Sequence, residues 1–225
     1  ALTLAAAELF RDDLRLLVMS ATLDGAAVAT LLGDAPLVES AGRAYPVETR
    51  HAPARGGVRL EAHVAQVVRE VLATETGSVL VFLPGAGEIR RVESLLREGA
   101  LPSDVSVQPL YGMMEGSAQD AAIAPAPAGR RKVVLATSIA ETSLTIDGIR
   151  VVVDGWMMRI PRFSPRTGMT HLETVRVSRA SADQRRGRAG RLMPGICVRC
   201  WSAGEEAGLV PQTRAEILDS DLAPL

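Results

Sequence analysis

Gln184-Arg185-Arg186-Gly187-Arg188-Ala189-Gly190-Arg191 packs four arginines and two glycines into eight residues. Ser181-Ala182-Asp183-Gln184, which leads into it, has capping-box spacing and predicts a helix that starts at Ser181. On such a helix Gln184, Arg188 and Arg191 fall at i, i+4 and i+7 and share one face. Like charges at helical spacing repel, and no acidic residue stands between Gln184 and Cys200 to neutralise them. Gly187 and Gly190 would each cost about 1 kcal/mol in a helix interior, which points to a close approach by another backbone or by a ligand. An anion is the ligand this chemistry favours, phosphate above all, because guanidinium forks match its oxygens. A solvated basic turn would account for a generic arginine-rich octamer, but the spacing Q-R-x-G-R-x-G-R is more restrictive.

Working outward, strands and helices alternate with short breakers. Apolar residues recur at Leu60, Val64, Val67, Val68, Val71 and Leu72, the pattern of an amphipathic helix. Val79 to Leu83 follows as a buried strand, broken by Pro84-Gly85. Glu88 to Arg97 is a second helix, stopped by Gly99. Val105 to Leu110, Lys132 to Thr137 and Ile149 to Asp154 read as further strands, with a helix over Ala118 to Ile123. Met169 to Val177 alternates after Pro161, Pro165 and Gly168, so Trp156 to Val177 reads as a β-hairpin. Upstream, Ala1 to Phe10 reads as the end of a helix, Leu14 to Met19 as a strand, Asp24 to Leu32 as a helix, Pro36 to Glu39 as a strand, and Gly42 to Val47 as a connector. The alternation argues for a mostly parallel α/β sheet with right-handed crossovers.

The net charge of −1 does not by itself favour a nucleic-acid partner. Its distribution does. Gly129 to Cys200 holds fourteen Lys or Arg against five Asp or Glu, the footprint of phosphate-rich ligands. Within that block, Ala136 to Gly148 sets a dense run of hydroxyls and two carboxylates after a buried strand, where open α/β sheets place ligands. A polar turn with Ser/Thr caps is the plain alternative. Cys197 and Cys200 lack a second cysteine pair and sit on a strand-like run, which makes them buried thiols in a reducing compartment rather than zinc ligands. No metal site is expected. No signal peptide and no membrane-length apolar run is present, so the expectation is a soluble, cytoplasmic protein without a membrane partner.

Q-R-x-G-R-x-G-R resembles the last motif of DEAH-box helicases of superfamily 2, and Ala136 to Gly148 resembles their fifth motif over thirteen consecutive positions. Val79 to Gly85 resembles motif IV, and Ser20-Ala21-Thr22 resembles motif III, which couples nucleotide state to strand binding. The sequence around Pro161 to Met169 and Leu192 to Trp201 is most similar to a bacterial branch of the family. The resemblance implies a RecA-like, P-loop NTPase-type three-layer fold for a helicase C-terminal domain, with partial neighbouring domains. It implies residues 1–43 as the tail of a first RecA-like domain, 44–204 as the second, and 205–225 as the start of a winged helix.

By that resemblance Arg188 and Arg191 are arginine fingers and Gln184 faces the γ-phosphate. Ser143 and Asp147 lie toward the nucleotide, while Thr137, Ser138 and Thr142 face the nucleic-acid backbone. Arg159, Arg162 and Arg166 of the hairpin are either phosphate contacts or solvated surface. Ser138 replaces the family's usual Asn, and Asp154-Gly155-Trp156 replaces its usual Asp-Ser-Gly. The implied cofactors are ATP and Mg2+, held mainly by the first RecA-like domain. The implied partners are single-stranded RNA or DNA and the first RecA-like and winged-helix domains of a parent chain. No G-x-x-x-x-G-K-[ST] and no Asp-Glu-Ala-His occurs, so the chain is expected to be a fragment that does not hydrolyse ATP alone. A RecA-fold binding module that has lost catalysis is the alternative reading. A double-strand translocase or restriction subunit fits the Ala140–Asp147 run and the hairpin less well.

Overall fold

The computed structural model describes residues 3–4, 9–11, 13–19, 25–39, 45–99, 101–142 and 144–214, with the side chains at 27 and 142 left aside. Two units divide the chain, Ala1–Gly42 and Arg43–Leu225.

In the first unit, helix α1 (Gly25–Leu31) is closed by a turn in which Gly33 and Asp34 take φ of 74° and 58°. Leu37 then packs against Gly25. Leu14 to Met19 and Pro36 to Glu39, both expected as strands, are segments without a ladder, and Leu17, Met19 and Val38 are exposed. An apolar run expresses an appetite for burial, whereas a strand also needs a neighbour's backbone. Neither segment has that neighbour among the described residues. Ser20, Ala21 and Thr22 lie outside the described residues, as do residues 215–225, where the winged helix was expected to open.

The second unit runs β1 (Val47–His51), α2 (Leu60–Thr74), β2 (Ser78–Phe82), α3 (Ala86–Glu98), β3 (Val105–Leu110), α4 (Gly116–Ile123), β4 (Arg131–Ala136), α5 (Ile139–Thr142), β5 (Ile149–Asp154), β6 (Met157–Ser164), β7 (Met169–Arg176), α6 (Arg179–Arg186), β8 (Gly195–Arg199) and α7 (Ala203–Ala207). Six strands form one sheet in the order β1-β8-β5-β2-β4-β3, and every pairing in it is parallel. Strands β2, β4 and β5 carry continuous apolar runs at Val79–Phe82, Val133–Ala136 and Val151–Val153 because both of their faces are covered. On one face Val79, Val81, Val133, Leu135, Val151 and Val153 meet α2 and α3. On the other, Leu80, Phe82, Val134, Ala136 and Val152 meet α4, α5 and Ala189. The result is a three-layer α/β/α unit. Each buried valine or leucine contributes about 1.5–3 kcal/mol, so these alternating faces hold the layers together.

Strand β1 was not legible as a strand. Only Val47 and Thr49 are even half-buried on it, and among the described residues it pairs on one side alone, with β8. Cys197 and Cys200 are unpaired thiols on opposite sides of the sheet, each buried in a different apolar cluster. Strands β6 and β7 form a separate antiparallel hairpin that pairs Met157 with Arg176 at its base and Ser164 with Met169 at its tip. No helix of the described residues is long and apolar enough to cross a membrane.

Candidate functional site

The hydroxyl-rich segment leaves the carboxyl end of β4, and the arginine segment, which runs from α6 into β8, packs beside it. After β4, Thr137 donates its backbone N–H to the Leu110 carbonyl at 3.2 Å. Ala140 and Glu141 donate theirs to the Thr137 and Ser138 carbonyls, which winds the short turn α5. Thr137 and Ser138 are half-buried beside it, and Asp147 is exposed in the turn before β5. Ser143 lies outside the described residues, and of Thr142 only the backbone is described.

The helix that carries the arginines is shorter than its sequence spacing implied, and it starts earlier. Its N-cap is Ser178, whose Oγ accepts the Ser181 N–H at 3.2 Å, not Ser181 itself. It ends at Arg186, with Gly187 as the C-cap. Gln184 is therefore helical, whereas Arg188 and Arg191 lie beyond the cap, and the expected common helical face does not exist. Two residues such as Ser178 and Ser181 both satisfy a capping rule, and packing decides between them: the Ser181 Oγ donates to Glu141 Oε2 at 2.8 Å instead. Gly190 explains itself as a close backbone approach. A Cβ there would lie 2.6 Å from the Tyr45 carbonyl oxygen, and the Tyr45 N–H donates to the Gly190 carbonyl at 2.9 Å.

Both arginines nevertheless converge on the segment after α5. Arg188 Nη1 donates to the Leu144 carbonyl at 2.7 Å, and Arg191 Nη1 donates to Thr145 Oγ1 at 2.9 Å. Arg188 is buried and Arg191 exposed. Burial, and then the neighbouring Arg191 charge, hold the Arg188 guanidinium down to about 10, with Glu141 opposing them. It stays cationic at neutral pH in a setting that disfavours its charge, which an incoming anion would relieve.

The hairpin arginines are committed elsewhere. Arg159 pairs with Glu88 at 3.2 Å and lies over Gly85. Arg162 pairs with Glu173 on the opposite strand at 3.0 Å, and Arg166 sits in the exposed tip. Half-buried Gln184 remains on α6. Among the described residues no group of three or more His, Cys, Asp or Glu side chains could hold a metal ion. The donor set here fits phosphate oxygens; the carboxylates that would hold magnesium are not part of it.

Arg185 is the residue that sequence reasoning passed over. It is fully buried. Its Nε donates to Glu141 Oε1 at 2.7 Å and its Nη1 to Asp154 Oδ1 at 2.8 Å, while its guanidinium carbon lies 4.9 Å from the centre of the Phe82 ring. Burial would push its pKa down, and the Asp154 and Glu141 carboxylates more than offset that, leaving it above the ordinary arginine value. One signal was available: Asp154 is a carboxylate that directly follows the buried apolar run Val151–Val153, and such a group requires a buried cation.

Asp154 Oδ1 also accepts the Trp156 N–H at 3.0 Å. Trp156 takes φ of 70°, a strained choice for a bulky residue, in the position where the resembled family has glycine. Stacking on Trp201, with centroids 6.2 Å apart, and the Arg176 guanidinium 4.7 Å above its ring hold it there.

Comparison with known proteins follows the same segments. A family profile described as the helicase conserved C-terminal domain matches residues 62–193. The chain is 52% identical over 215 residues to the ATP-dependent RNA helicase HrpB of Escherichia coli (strain K12), covering 96% of this chain and 26% of that protein. A crystal structure of the E. coli DExH-box NTPase HrpB superposes with a TM-score of 0.90 at 51% identity, covering 99% of this chain and 27% of the other. A crystal structure of the Escherichia coli DEAH/RHA helicase HrpB gives 0.92 at 51% identity, covering 98% and 28%. The chain thus spans about a quarter of the length of the curated relative that it matches.

Proposed function

Because this chain belongs to the helicase conserved C-terminal domain family and has its RecA-like α/β fold, we propose that it serves as the second RecA-like domain of an HrpB-like, DEAH-box ATP-dependent RNA helicase. Residues 44–204 are that domain, 1–43 belong to the first RecA-like domain, and 205–225 lead into a winged helix. Arg188 and Arg191 act as arginine fingers toward ATP held mainly by the first domain, with Gln184 at the γ-phosphate and Ser143 and Asp147 on the nucleotide side. Thr137, Ser138 and Thr142 face single-stranded nucleic acid, with Arg159 and Arg162 at the hairpin. The relative's name favours RNA over DNA as that strand.

The observation that carries this reading is the convergence of Arg188 and Arg191 on Leu144 and Thr145. It sets two cations, neither of which is in an ion pair with a carboxylate among the described residues, beside the hydroxyl-rich segment. Charge that builds on the transferring phosphoryl oxygens is neutralised by such groups, and holding them in place beforehand avoids reorganisation at the moment of reaction. Magnesium, when bound with the nucleotide, supplies further neutralisation between the phosphates. The domain's own part is to place the guanidinium groups and exclude water around Arg188.

RNA-stimulated ATPase activity of the full-length protein, wild type beside Arg188→Ala, tests the reading. A fall of about a thousandfold or more with RNA binding retained is the expected result. Unchanged turnover refutes the finger role of Arg188. Absence of turnover in the wild type points instead to a binding module without catalysis.

A further inference from the structure

We propose that Arg185 is a positioning residue that carries the placement of the β-hairpin to Arg188. The inference rests on the nucleotide-facing reading of Arg188 given above. A fully buried arginine gains little net stability from two carboxylates, since desolvation consumes much of the attraction, and an apolar side chain of similar size often serves as well. What the guanidinium fork does supply is a fixed geometry between groups on different elements. Its two partners come from different elements: Glu141 from α5, next to Thr137 and Ser138, and Asp154 from the end of β5, directly before the hairpin.

The connection is continuous at hydrogen-bond distance. Hairpin strand β6 starts at Met157, and the preceding Trp156 N–H is held by the same Asp154 Oδ1 that receives Arg185. The Arg185 carbonyl in turn accepts the Arg188 N–H at 3.1 Å, across the turn that follows α6. A rotation of the hairpin about Gly155 and Trp156 therefore acts on Asp154 Oδ1, on Arg185, and through its backbone on Arg188. The second arm, through Glu141, ties the same residue to the strand-facing turn. On the other side, the Arg159–Glu88 pair joins the hairpin to the start of α3. The hairpin thus moves against a fixed body, and the movement is transmitted rather than dissipated.

The test uses the full-length protein with Arg185→Lys and Asp154→Asn, each of which keeps a hydrogen-bonding group in place. Lysine can hold one carboxylate but not both in a bidentate fork. Asparagine keeps an acceptor for the Trp156 N–H while it removes the charge. ATPase turnover is measured with and without single-stranded oligoadenylate, alongside KM for ATP and a thermal melt. In both variants the ratio of stimulated to basal turnover is expected to fall about tenfold, the size of an ordinary coupling between sites, with KM for ATP essentially unchanged. A purely structural role would lower basal and stimulated turnover in proportion, and that outcome, or an unchanged ratio, overturns the proposal. Arg188→Ala run in parallel separates the two ideas: if it leaves turnover intact, the nucleotide-facing reading fails on its own account.

Discussion

Replacing Gly155 by alanine adds one methyl group where the backbone of β2 closes in on the end of β5. An ideal Cβ there would stand 2.6 Å from the Phe82 carbonyl oxygen, with Leu83 Cδ2 and Val64 Cγ2 each at 3.6 Å. The obstruction is backbone in the middle of the sheet, so no rotamer change removes it. Relief requires β2 and the end of β5 to separate by about half an ångström, which threatens the hydrogen bond from the Gly155 N–H to the Phe82 carbonyl at 3.0 Å. Overpacking of this kind costs about 1–3 kcal/mol, and loss of the hydrogen bond adds about 1 kcal/mol. The expected destabilisation is about 2–4 kcal/mol, a fall of roughly 1–2 M in urea midpoint for a slope of about 2 kcal/mol/M. Gly87→Ala is the internal control. Beyond its chain neighbours and the backbone of its own helix, no atom lies within 4 Å of its Cβ position, it belongs to α3, and reduced freedom of the unfolded chain should stabilise by about 0.4–1 kcal/mol. Equilibrium urea unfolding followed by far-UV circular dichroism measures both. If the two alanines shift the midpoint in the same direction, the close approach assigned to Gly155 is wrong.

Two further predictions follow from buried polar groups. Burial, and then the Asp154 charge, push the Cys197 thiol up to about 12, and burial raises Cys200 as well. With folded values above the ordinary thiol value of 9.0, the folded state holds its protons longer, so stability present below about pH 9 is lost as pH rises toward 12. Urea midpoints should therefore fall between pH 8 and pH 10, less so in Cys197→Val, and at pH 8 the thiols of the native protein should react with a disulfide reagent only as fast as the chain opens. Lys132 is buried, and its Nζ donates to the Ala122, Ile123 and Ala124 carbonyls at the end of α4. Lys132→Met leaves those acceptors without their donor and should cost about 1–3 kcal/mol in the same unfolding assay; a loss under a few tenths would show that water replaces the lysine freely.

The parts of this fold that could be read in the sequence are those where one segment's composition settles its own surroundings. Val79 to Leu83 and, within Ile149 to Asp154, Val151 to Val153 are apolar throughout because both of their faces are covered. Leu60 to Leu72 shows its single buried face as a helical period. Strand β1 escaped because an edge strand with a half-covered face needs only Val47 and Thr49 turned inward, and the polar Glu48, Arg50 and His51 fill the remaining places. Leu14 to Met19 erred in the other direction, since apolar character does not supply a backbone partner. At the site, the arginine and hydroxyl segments could be read from local spacing. Arg185 could not, because its role is fixed by Asp154 and Glu141, which lie 31 and 44 residues away in sequence. The left-handed Trp156 was equally hidden, since its compensation comes from Trp201 and Arg176.

The position of β8 has a consequence for how the chain is made. This last strand of the sheet in sequence lies between β1 and β5, so Val47 cannot find Gly195 until almost the whole unit has been synthesised. At about 5–20 residues per second, β1 waits for roughly seven to thirty seconds for β8, its partner in the sheet. For the last part of that interval, once β5 (Ile149–Asp154) has been made, its outer edge stands open, a row of unpaired amides and carbonyls beside apolar side chains. Strands β2 to β5 can assemble during that time, but the sheet closes late and all at once, by insertion rather than by extension. A ribosome-bound nascent chain that ends before Gly195 would be the species most exposed to wrong pairing and to chaperone capture, and the arrival of five residues would end that exposure.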